Sequence, residues 1–158
     1  EPIYKIQVDG INIATVLERK DRDGVWANAI VKDVISNVNP QLTSQIFDQD
    51  DQTGWTTGRL QQKGDYLLFE LKDTTKLYGI SILSGTGKYE YPQDLQIEGS
   101  ENGIDWEILP LTYQTQSDYA FKPADVRYIK LILAQDSKEN AWTVNNVMFH
   151  LASNNNSN

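Results

Sequence analysis

The sequence contains no cysteine and a single histidine among its 158 residues. Without cysteine, the chain can form no disulfide, no thiolate zinc site and no thiol nucleophile. The same absence leaves the redox compartment undetermined, because it fits oxidising and reducing surroundings equally well. Stability must therefore come from packing, with or without a bound metal.

Long apolar runs are also missing, since no segment approaches the roughly 20 apolar residues that a membrane-spanning helix needs. The start, Glu1-Pro2-Ile3-Tyr4, lacks the basic and apolar regions of a signal peptide. The length allows one ordinary domain but not two. We expect that domain to span residues 1–151, with residues 1–40 as its least regular part, and residues 152–158, a Ser/Asn run, as a flexible tail or linker.

Positive charge is scarce, because 14 Lys and Arg against 22 Asp and Glu give a formal net charge of -8. Nucleic acids and anionic lipid surfaces attract proteins chiefly through Lys and Arg. The basic residues are also scattered, with the closest cluster at Arg19, Lys20 and Arg22. We therefore expect no nucleic-acid partner, and the charge disfavours a membrane-lipid partner. Neutral ligands and cations fit it better.

Short apolar or alternating segments, bounded by Gly, Asn, Asp and Pro, dominate the sequence and predict β-strands. Without a long amphipathic helix between them, they predict an antiparallel sandwich or barrel. A hairpin is predicted around Asp9-Gly10. Residues 41–47 are a helical candidate with Asn39 as cap and Pro40 in the first position. Residues 27–38 are a second, but their β-branched side chains favour a strand nearly as well. The predicted strands are residues 4–8, 66–71, 77–83, 95–98, 106–109, 126–133 and 144–151.

Three carboxylates, those of Asp48, Asp50 and Asp51, lie within one turn-rich segment that ends at Trp55. Anionic groups this close repel one another, so they need either full solvation or a cation. Hard oxygen ligands select calcium over zinc or copper. From the residues alone, a solvated acidic turn and a metal site both remain open.

Four motifs occur in the order found in one domain family. Asp48-x-Asp50-x-x-Thr53-x-Trp55 resembles the D-G-D-x-x-T-x-W loop of discoidin-type domains (coagulation factor 5/8 type C), including family 32 carbohydrate-binding modules. Residues 95–106, with Asn102 where the family has Asp, resemble its V-x-x-S-x-D-G-x-x-W turn. Residues 126–131 and 141–147 resemble its V-R-Y-I-R-L and closing W-S-I-x-E-L segments. The resemblance implies an all-β antiparallel sandwich of the discoidin jelly-roll type.

The resemblance also implies a structural calcium site in the acidic loop. The implied ligands are Asp48, Asp50, Thr53 and Asn146, together with the backbone carbonyl of Phe47. Asn146 stands where the family has Glu. An amide oxygen can still bind calcium, but the loss of one formal charge should weaken the affinity.

Aromatic residues in turn-rich stretches form a second group of candidates. Sugar recognition places an exposed ring against the apolar face of the sugar, while nearby polar groups read its hydroxyls. The candidate ligand-binding residues are the rings of Trp26, Tyr89, Tyr91 and Trp142 and the polar side chains of Arg59, Lys88 and Asn140, with Glu90 as a further hydrogen-bond partner. The alternative, that these rings cover the ends of the sandwich or contact a partner domain, remains open.

Four other residues receive structural interpretations. Trp55 and Trp106 follow turns and begin strands, so we expect both to fill the core. Arg127 lies between apolar neighbours, which favours a structural ion pair over a ligand contact. His150 has no cysteine and no Gly-x-Ser-x-Gly segment to work with, which argues against a nucleophilic triad.

The function implied by the resemblance is that of a non-catalytic carbohydrate-binding module. Such a module would be part of a larger secreted or cell-surface bacterial protein, for example a glycoside hydrolase, and its partners would be a glycan and the other domains of that protein. A structural or adhesion domain without a small ligand remains the alternative, because one fold hosts several functions.

Overall fold

Two long antiparallel strands, Tyr66–Leu83 (β6) and Asp118–Leu133 (β10), organise the fold. The computed structural model describes residues 7–8, 11–12, 24–50, 52–84 and 90–152. The other strands in these ranges are Gln7–Val8 (β1), Ile11–Asn12 (β2), Gly24–Trp26 (β3), Val31–Ser36 (β4), Trp55–Thr56 (β5), Leu95–Ser100 (β7), Glu107–Ile108 (β8), Leu111–Gln114 (β9), Thr143–Val144 (β11) and Asn146–Leu151 (β12). A short α-helix spans Ala27–Ile30 (α1), and a 3₁₀ helix spans Pro40–Ile46.

Shifts in register divide each long strand into two halves. Between Ala120 and Ala124, and again between Val126 and Tyr128, the pairing of β10 with β6 is irregular. Such bulges bend a strand and increase its twist, so one strand can serve two sheets. The first half of β6 pairs with the second half of β10, and the remaining halves pair with each other.

The halves belong to two sheets. The strand order in the first sheet is β4-β6-β10-β7-β8, and in the second it is β3-β12-β6-β10-β9. Phe69 in the first sheet contacts Phe149 in the second edge to face, with ring centroids 5.5 Å apart. The predicted all-β antiparallel sandwich is therefore confirmed.

Alternation along the strands places one set of side chains in the core and the other on the surface. Leu67, Phe69 and Leu71 are fully buried, whereas Leu68 and Glu70 between them are partly exposed. Burial of this apolar area is the main stabilising term for a chain without disulfides. Among the described residues, no helix is long and apolar enough to cross a membrane.

Residues 27–38, for which the sequence favoured a helix and a strand nearly equally, contain both. The segment begins as α1 and continues as β4, whose β-branched Val31 and Val34 are buried. The helix predicted after Pro40 is present as a 3₁₀ helix, but Asn39 does not cap it with its side chain. Instead the Asn39 amide donates to the carbonyl of Thr56 at 2.7 Å. The predicted hairpin is confirmed by antiparallel pairing of β1 with β2.

Of the two tryptophans expected in the core, one lies there. Trp55 is fully buried, and its indole N–H donates to the carbonyl of Val38 at 2.7 Å. The prediction for Trp106 is wrong. Its ring is half-buried on the outer face of the first sheet, because residue 106 belongs to the surface turn that leads into β8. There it packs beside Tyr128.

Arg127 has the structural role expected from its apolar neighbours. Its Nε donates to the carbonyl of Leu71 at 2.6 Å, and its guanidinium lies 3.9 Å from the carboxylate of Glu70. Both contacts are to β6, the neighbouring strand. Arg127 therefore ties β10 to β6.

Candidate functional site

Three loop segments meet at one end of the sandwich: residues 56–65, 90–94 and 134–143, here called the loop end. They meet because β6 begins, β7 begins and β10 ends at the same edge, as their antiparallel pairing requires. Backbone hydrogen bonds join the segments, from Thr57 to Trp142 at 2.9 Å and from Thr143 to Glu90 at 2.9 Å. The loop end is thus a connected surface.

Gln61 lies at the centre of the loop end and is only 1% exposed. Its amide nitrogen donates to the carbonyls of Tyr91 at 2.9 Å and Ala141 at 3.2 Å. Its amide oxygen accepts the backbone N–H of Gln93 at 3.0 Å. One side chain therefore holds all three segments. Sequence reasoning missed Gln61, because nothing in its local pattern signals these distant contacts.

Two predicted ligand residues, Tyr91 and Asn140, are brought together here. The Asn140 amide donates to the carbonyl of Tyr91 at 3.2 Å and to that of Ala141 at 2.6 Å. Its oxygen accepts the side-chain amide of Gln93 at 3.1 Å. These bonds fix the Asn140 and Gln93 amides beside the half-buried Tyr91.

Burial raises the pKa of the neighbouring Tyr119 phenol above its usual range, and Asp118 and Tyr91 raise it further. The Tyr119 hydroxyl donates to the carbonyl of Gln116 at 2.9 Å. Tyr91 therefore lies close enough to β10 for the two phenols to interact.

Arg59 also lies in the loop end, but its guanidinium is bound to Asp65. Two hydrogen bonds of 3.0 Å join the two groups side by side. Asp65 is 2% exposed and Arg59 is 38% exposed. Arg59 therefore neutralises a buried carboxylate and keeps only part of its surface for a ligand.

The prediction that Trp142 is an exposed ligand-binding ring is wrong. Trp142 is fully buried and meets Trp55 edge to face, with centroids 5.0 Å apart. Its ring belongs to the core because β11 pairs with β5 directly beneath the loop end. A buried indole cannot stack on a sugar.

The remaining predicted ligand residues are not brought into this cluster. Trp26 is 43% exposed, but it lies on β3, opposite Met148 of β12 in the second sheet. Lys88 and Tyr89 lie outside the described residues. Glu90 is in the loop end, where its carboxylate accepts the hydroxyl of Thr143 at 2.5 Å.

The acidic loop, residues 48–54, is held together by hydrogen bonds among its described residues, 48–50 and 52–54. The Thr53 hydroxyl donates to the Asp48 carboxylate at 2.5 Å, and Asp48 also accepts the N–H of Asp50 at 2.9 Å. Gly54 packs closely against residues 144 and 145. A Cβ at this position would lie 2.7 Å from the carbonyl of Val144 and 2.8 Å from the side-chain oxygen of Asn145. The loop is thus seated beside the last strands.

The oxygens of this loop suit a hard cation by their chemistry. Asp48, Asp50 and Thr53 are adjacent, and Phe47 immediately precedes them. Asn146 is buried, but its side-chain oxygen accepts the N–H of Val147 at 2.8 Å. Among the described residues, no group of three His, Cys, Asp or Glu side chains forms a metal cluster. A cation here would therefore depend on Thr53 and backbone oxygens besides the two carboxylates.

The acidic loop, the loop end and the strands between them all lie within the part of the chain that one domain model matches. The model of the F5/8 type C domain matches residues 33–147, more than half of the chain. The chain belongs to the F5/8 type C domain family. Comparison with curated protein sequences gives no match.

Solved structures with this F5/8 type C fold include several carbohydrate-binding modules. The CBM32-1 and CBM32-2 domains of ZmpB from Clostridium perfringens, in complex with GalNAc, are 16% identical with a TM-score of 0.68, and the match covers 87% of this chain and 38% of that one. This chain therefore spans less than half the length of that structure.

Two single modules match over most of their own length. CpGH89CBM32-5 from Clostridium perfringens, in complex with GalNAc-β-1,3-galactose, is 12% identical with a TM-score of 0.63, covering 75% of this chain and 94% of that one. The CBM32 of AlyQ, in complex with 4,5-unsaturated mannuronic acid, is 14% identical with a TM-score of 0.60, covering 77% and 96%. At these identities the likeness shows a shared fold.

Within this F5/8 type C domain, the single histidine lies in a buried network. The Ser81 hydroxyl donates to Asp118 at 2.7 Å and lies 2.8 Å from Nε2 of His150. Ser81 is 9% exposed and His150 is 5% exposed. The three side chains join β6, β10 and β12, and the partly exposed Asp118 satisfies the buried hydroxyl of Ser81.

Proposed function

We propose that this F5/8 type C domain is a non-catalytic carbohydrate-binding module whose ligand site is the loop end. The observation that carries the proposal is the convergence of Tyr91, Gln93 and Asn140, held by the buried side chain of Gln61. The family and the sugar complexes of structures with the same fold support it.

The loop end has the chemistry that a sugar requires. The half-buried Tyr91 offers a ring for stacking, and the amide oxygens of Gln93 and Asn140 each keep a lone pair that can accept a sugar hydroxyl. Gln61 fixes the backbone of Tyr91 and Gln93 before binding, and Asn140 is bonded to both residues, so little conformational entropy is lost on association. Arg59 contributes through its exposed part, and Lys88 and Tyr89 remain predicted contacts from the neighbouring segment.

The biological role we infer is targeting. A module that binds a glycan weakly holds its parent protein near that glycan by raising the effective concentration. We place the parent protein outside the cell or at its surface, and an attached enzyme such as a glycoside hydrolase fits this role. The net charge of -8 suits neutral glycans better than anionic polymers.

We also propose that the acidic loop binds calcium as a structural ion. Asp48, Asp50 and Thr53 would hold it together with the carbonyl of Phe47, and Asn146 would add the second lone pair of its side-chain oxygen, whose first accepts the N–H of Val147. The ion would neutralise the two carboxylates and fix the loop against β11 and β12. It would take no part in sugar recognition.

A glycan array followed by titration calorimetry tests the proposed function. We expect one class of glycan to bind with a dissociation constant of about 0.1–1 mM, which corresponds to roughly -4 to -5.5 kcal/mol. Tyr91→Ala should weaken this binding about tenfold or more, while Asp73→Asn, an exposed carboxylate in β6 away from the loop end, should leave it unchanged. Binding of no glycan at millimolar concentration would favour a protein-contact domain instead.

A further inference from the structure

A groove on the outer face of the first sheet has the features of a ligand-binding site. It encloses about 280 Å³ across β4, β6, β10 and the turn before β8. Strand alternation places its side chains outward, because their neighbours Val34, Leu67 and Phe69 are buried in the core. Its lining includes Asp33, Ile35, Leu68, Glu70, Trp106 and Tyr128.

The apolar part of the groove is built from two rings and two aliphatic side chains. Trp106 and Tyr128 meet at 62°, with centroids 6.5 Å apart. Ile35 is 47% exposed and lies opposite the partly exposed Leu68. A tryptophan and an isoleucine left this exposed beside a concave surface provide the apolar contact that a sugar ring seeks.

The two rings are held in place without a ligand. The ammonium of Lys130 lies 4.6 Å from the centroid of the Trp106 ring. Gly103, with φ of 79°, packs so tightly on Tyr128 that a Cβ would lie 3.2 Å from the tyrosine ring. The groove is therefore preformed, which lowers the entropic cost of binding.

Asn102, at one side of the groove, is bonded within its own turn, but other polar groups of the groove keep hydrogen-bonding capacity. Within the described part of the chain, Trp106 and Tyr128 make ring contacts but donate no hydrogen bond. Asp33 accepts only the N–H of Val34 at 2.9 Å. Glu70 is engaged only in ion pairs of 3.6 Å with Lys32 and 3.9 Å with Arg127. In the loop end, by contrast, the amides of Gln61 and Asn140 already bond to neighbouring residues.

The donors, acceptors and volume of the groove indicate which kind of sugar it would bind. Trp106 and Tyr128 offer donors and the two carboxylates offer acceptors, which suits the hydroxyl groups of a pyranose. Among the described residues, no Lys or Arg side chain lines the groove itself, and the cations at its border are already paired, Lys32 and Arg127 with Glu70 and Lys130 with Glu98, which disfavours a sugar carboxylate. The volume lies just below the roughly 300 Å³ at which drug-sized pockets begin, which suits one sugar ring.

We propose that this groove is a second glycan-binding site, for an uncharged or amine-bearing sugar ring. The inference rests on the proposed function, since it assumes that the domain binds glycans. Two sites on separate faces would let one domain hold two branches of a glycan, or two chains, and thereby raise its avidity for dense glycan surfaces.

Nuclear magnetic resonance of the ¹⁵N-labelled domain tests the proposal directly. The chain has four tryptophans, of which Trp55 and Trp142 are buried and Trp26 lies on β3 of the second sheet, so the assigned indole signal of Trp106 reports on the groove. N-acetylgalactosamine and a chitosan oligomer should each shift this signal in saturable titrations, whereas an oligogalacturonate should not. The shifts should persist in Tyr91→Ala, which disables the loop end.

Substitutions in the groove provide a second test of the proposal. Asp33→Asn keeps an acceptor for the N–H of Val34 but removes the charge, and it should weaken chitosan binding at the groove about fivefold. Tyr128→Phe removes only a hydroxyl that makes no hydrogen bond in the described residues, so it should weaken binding about fivefold without lowering the melting temperature. Ile108→Ala, an exposed residue outside the groove, is the control.

The outcomes separate the two proposals. If sugars shift the amides of Gln93 and Asn140 but never the Trp106 indole, the second site is overturned and the loop-end function stands. If all sugar-induced shifts disappear in Tyr91→Ala, the second site is likewise overturned, because the groove then binds no sugar. If no sugar shifts any signal, the proposed function fails together with this inference.

Discussion

The indole rings of Trp55 and Trp142 meet edge to face beneath the loop end, at an interplanar angle of 88°. Trp55 directly follows the acidic loop and Trp142 lies within a loop-end segment, so one aromatic contact supports both. Trp142→Ala should lower the free energy of unfolding by about 3–5 kcal/mol, because it leaves a large cavity in the core. Urea denaturation measures this loss.

Trp26→Ala is the matched control for this prediction, since Trp26 is partly exposed. It should cost about 1 kcal/mol or less. If Trp142→Ala kept full stability while abolishing glycan binding, the assignment of Trp142 to the core would be wrong.

The pair formed by Arg59 and Asp65 predicts a second stability effect. Removing Arg59 leaves the carboxylate of Asp65, which is 2% exposed, without its cation. Because Arg59 is itself partly exposed, we expect Arg59→Ala to cost about 2–3 kcal/mol, less than a fully buried pair would. The double variant Arg59→Leu with Asp65→Asn should recover part of this loss, and failure of any recovery would count against the pairing.

Calcium binding is tested most sharply by Asn146→Glu. Glutamate restores the charge that the family pattern has at this position, but it places a carboxylate in a buried site. Without calcium the variant should melt at a lower temperature than the native chain, and with calcium it should gain more stability than the native chain does. Differential scanning calorimetry with calcium and with chelator measures both changes.

Asp48→Asn tests calcium binding in the opposite direction, because it removes the charge of a predicted ligand. It should reduce the calcium-dependent shift in melting temperature. If neither the native chain nor Asn146→Glu responded to calcium, the loop would be a hydrogen-bonded acidic turn and not a cation site.

Tyr119 predicts the response to alkaline pH. Burial, Asp118 and Tyr91 raise the pKa of its phenol in the folded state. A raised folded pKa contributes stability that is fully present below the unfolded value of about 10 and is lost as the pH rises beyond it. Stability should therefore fall more steeply above pH 10 in the native chain than in Tyr119→Phe.

Chemical denaturation at several alkaline pH values tests the role of Tyr119. At neutral pH the phenylalanine variant should be about 1 kcal/mol less stable, because the hydrogen bond to Gln116 is lost. Parallel pH profiles for the two proteins would contradict the assignment.

The sandwich could be predicted because its signals are local. Alternation in residues 66–71 and 128–133 marks half-buried strands, and the four family motifs supply their order. The first half of β10 was not predicted, because Lys122 and Pro123 interrupt its apolar pattern. Only its pairing with β6 and β9 makes it a strand.

The candidate site could be predicted less completely, because exposure is set by distant contacts. Trp106 and Trp142 both lie beside turns, yet β5 covers Trp142 while Trp106 remains on an outer face. Gln61 escaped prediction because its bond to Ala141 joins residues 80 positions apart. Tyr91 and Asn140 were predicted as ligand residues because aromatic and amide side chains in loops are typical of sugar sites, and the structure places the two side by side.

The most direct test of the central claim is a titration that locates the bound sugar on the loop end. Amide signals of the ¹⁵N-labelled domain would be followed while the glycan bound most strongly on the array is added. The loop-end account predicts saturable shifts at Tyr91, Gln93 and Asn140, and the loss of those at Gln93 and Asn140 in Tyr91→Ala. Saturable binding that leaves these signals unchanged would contradict it.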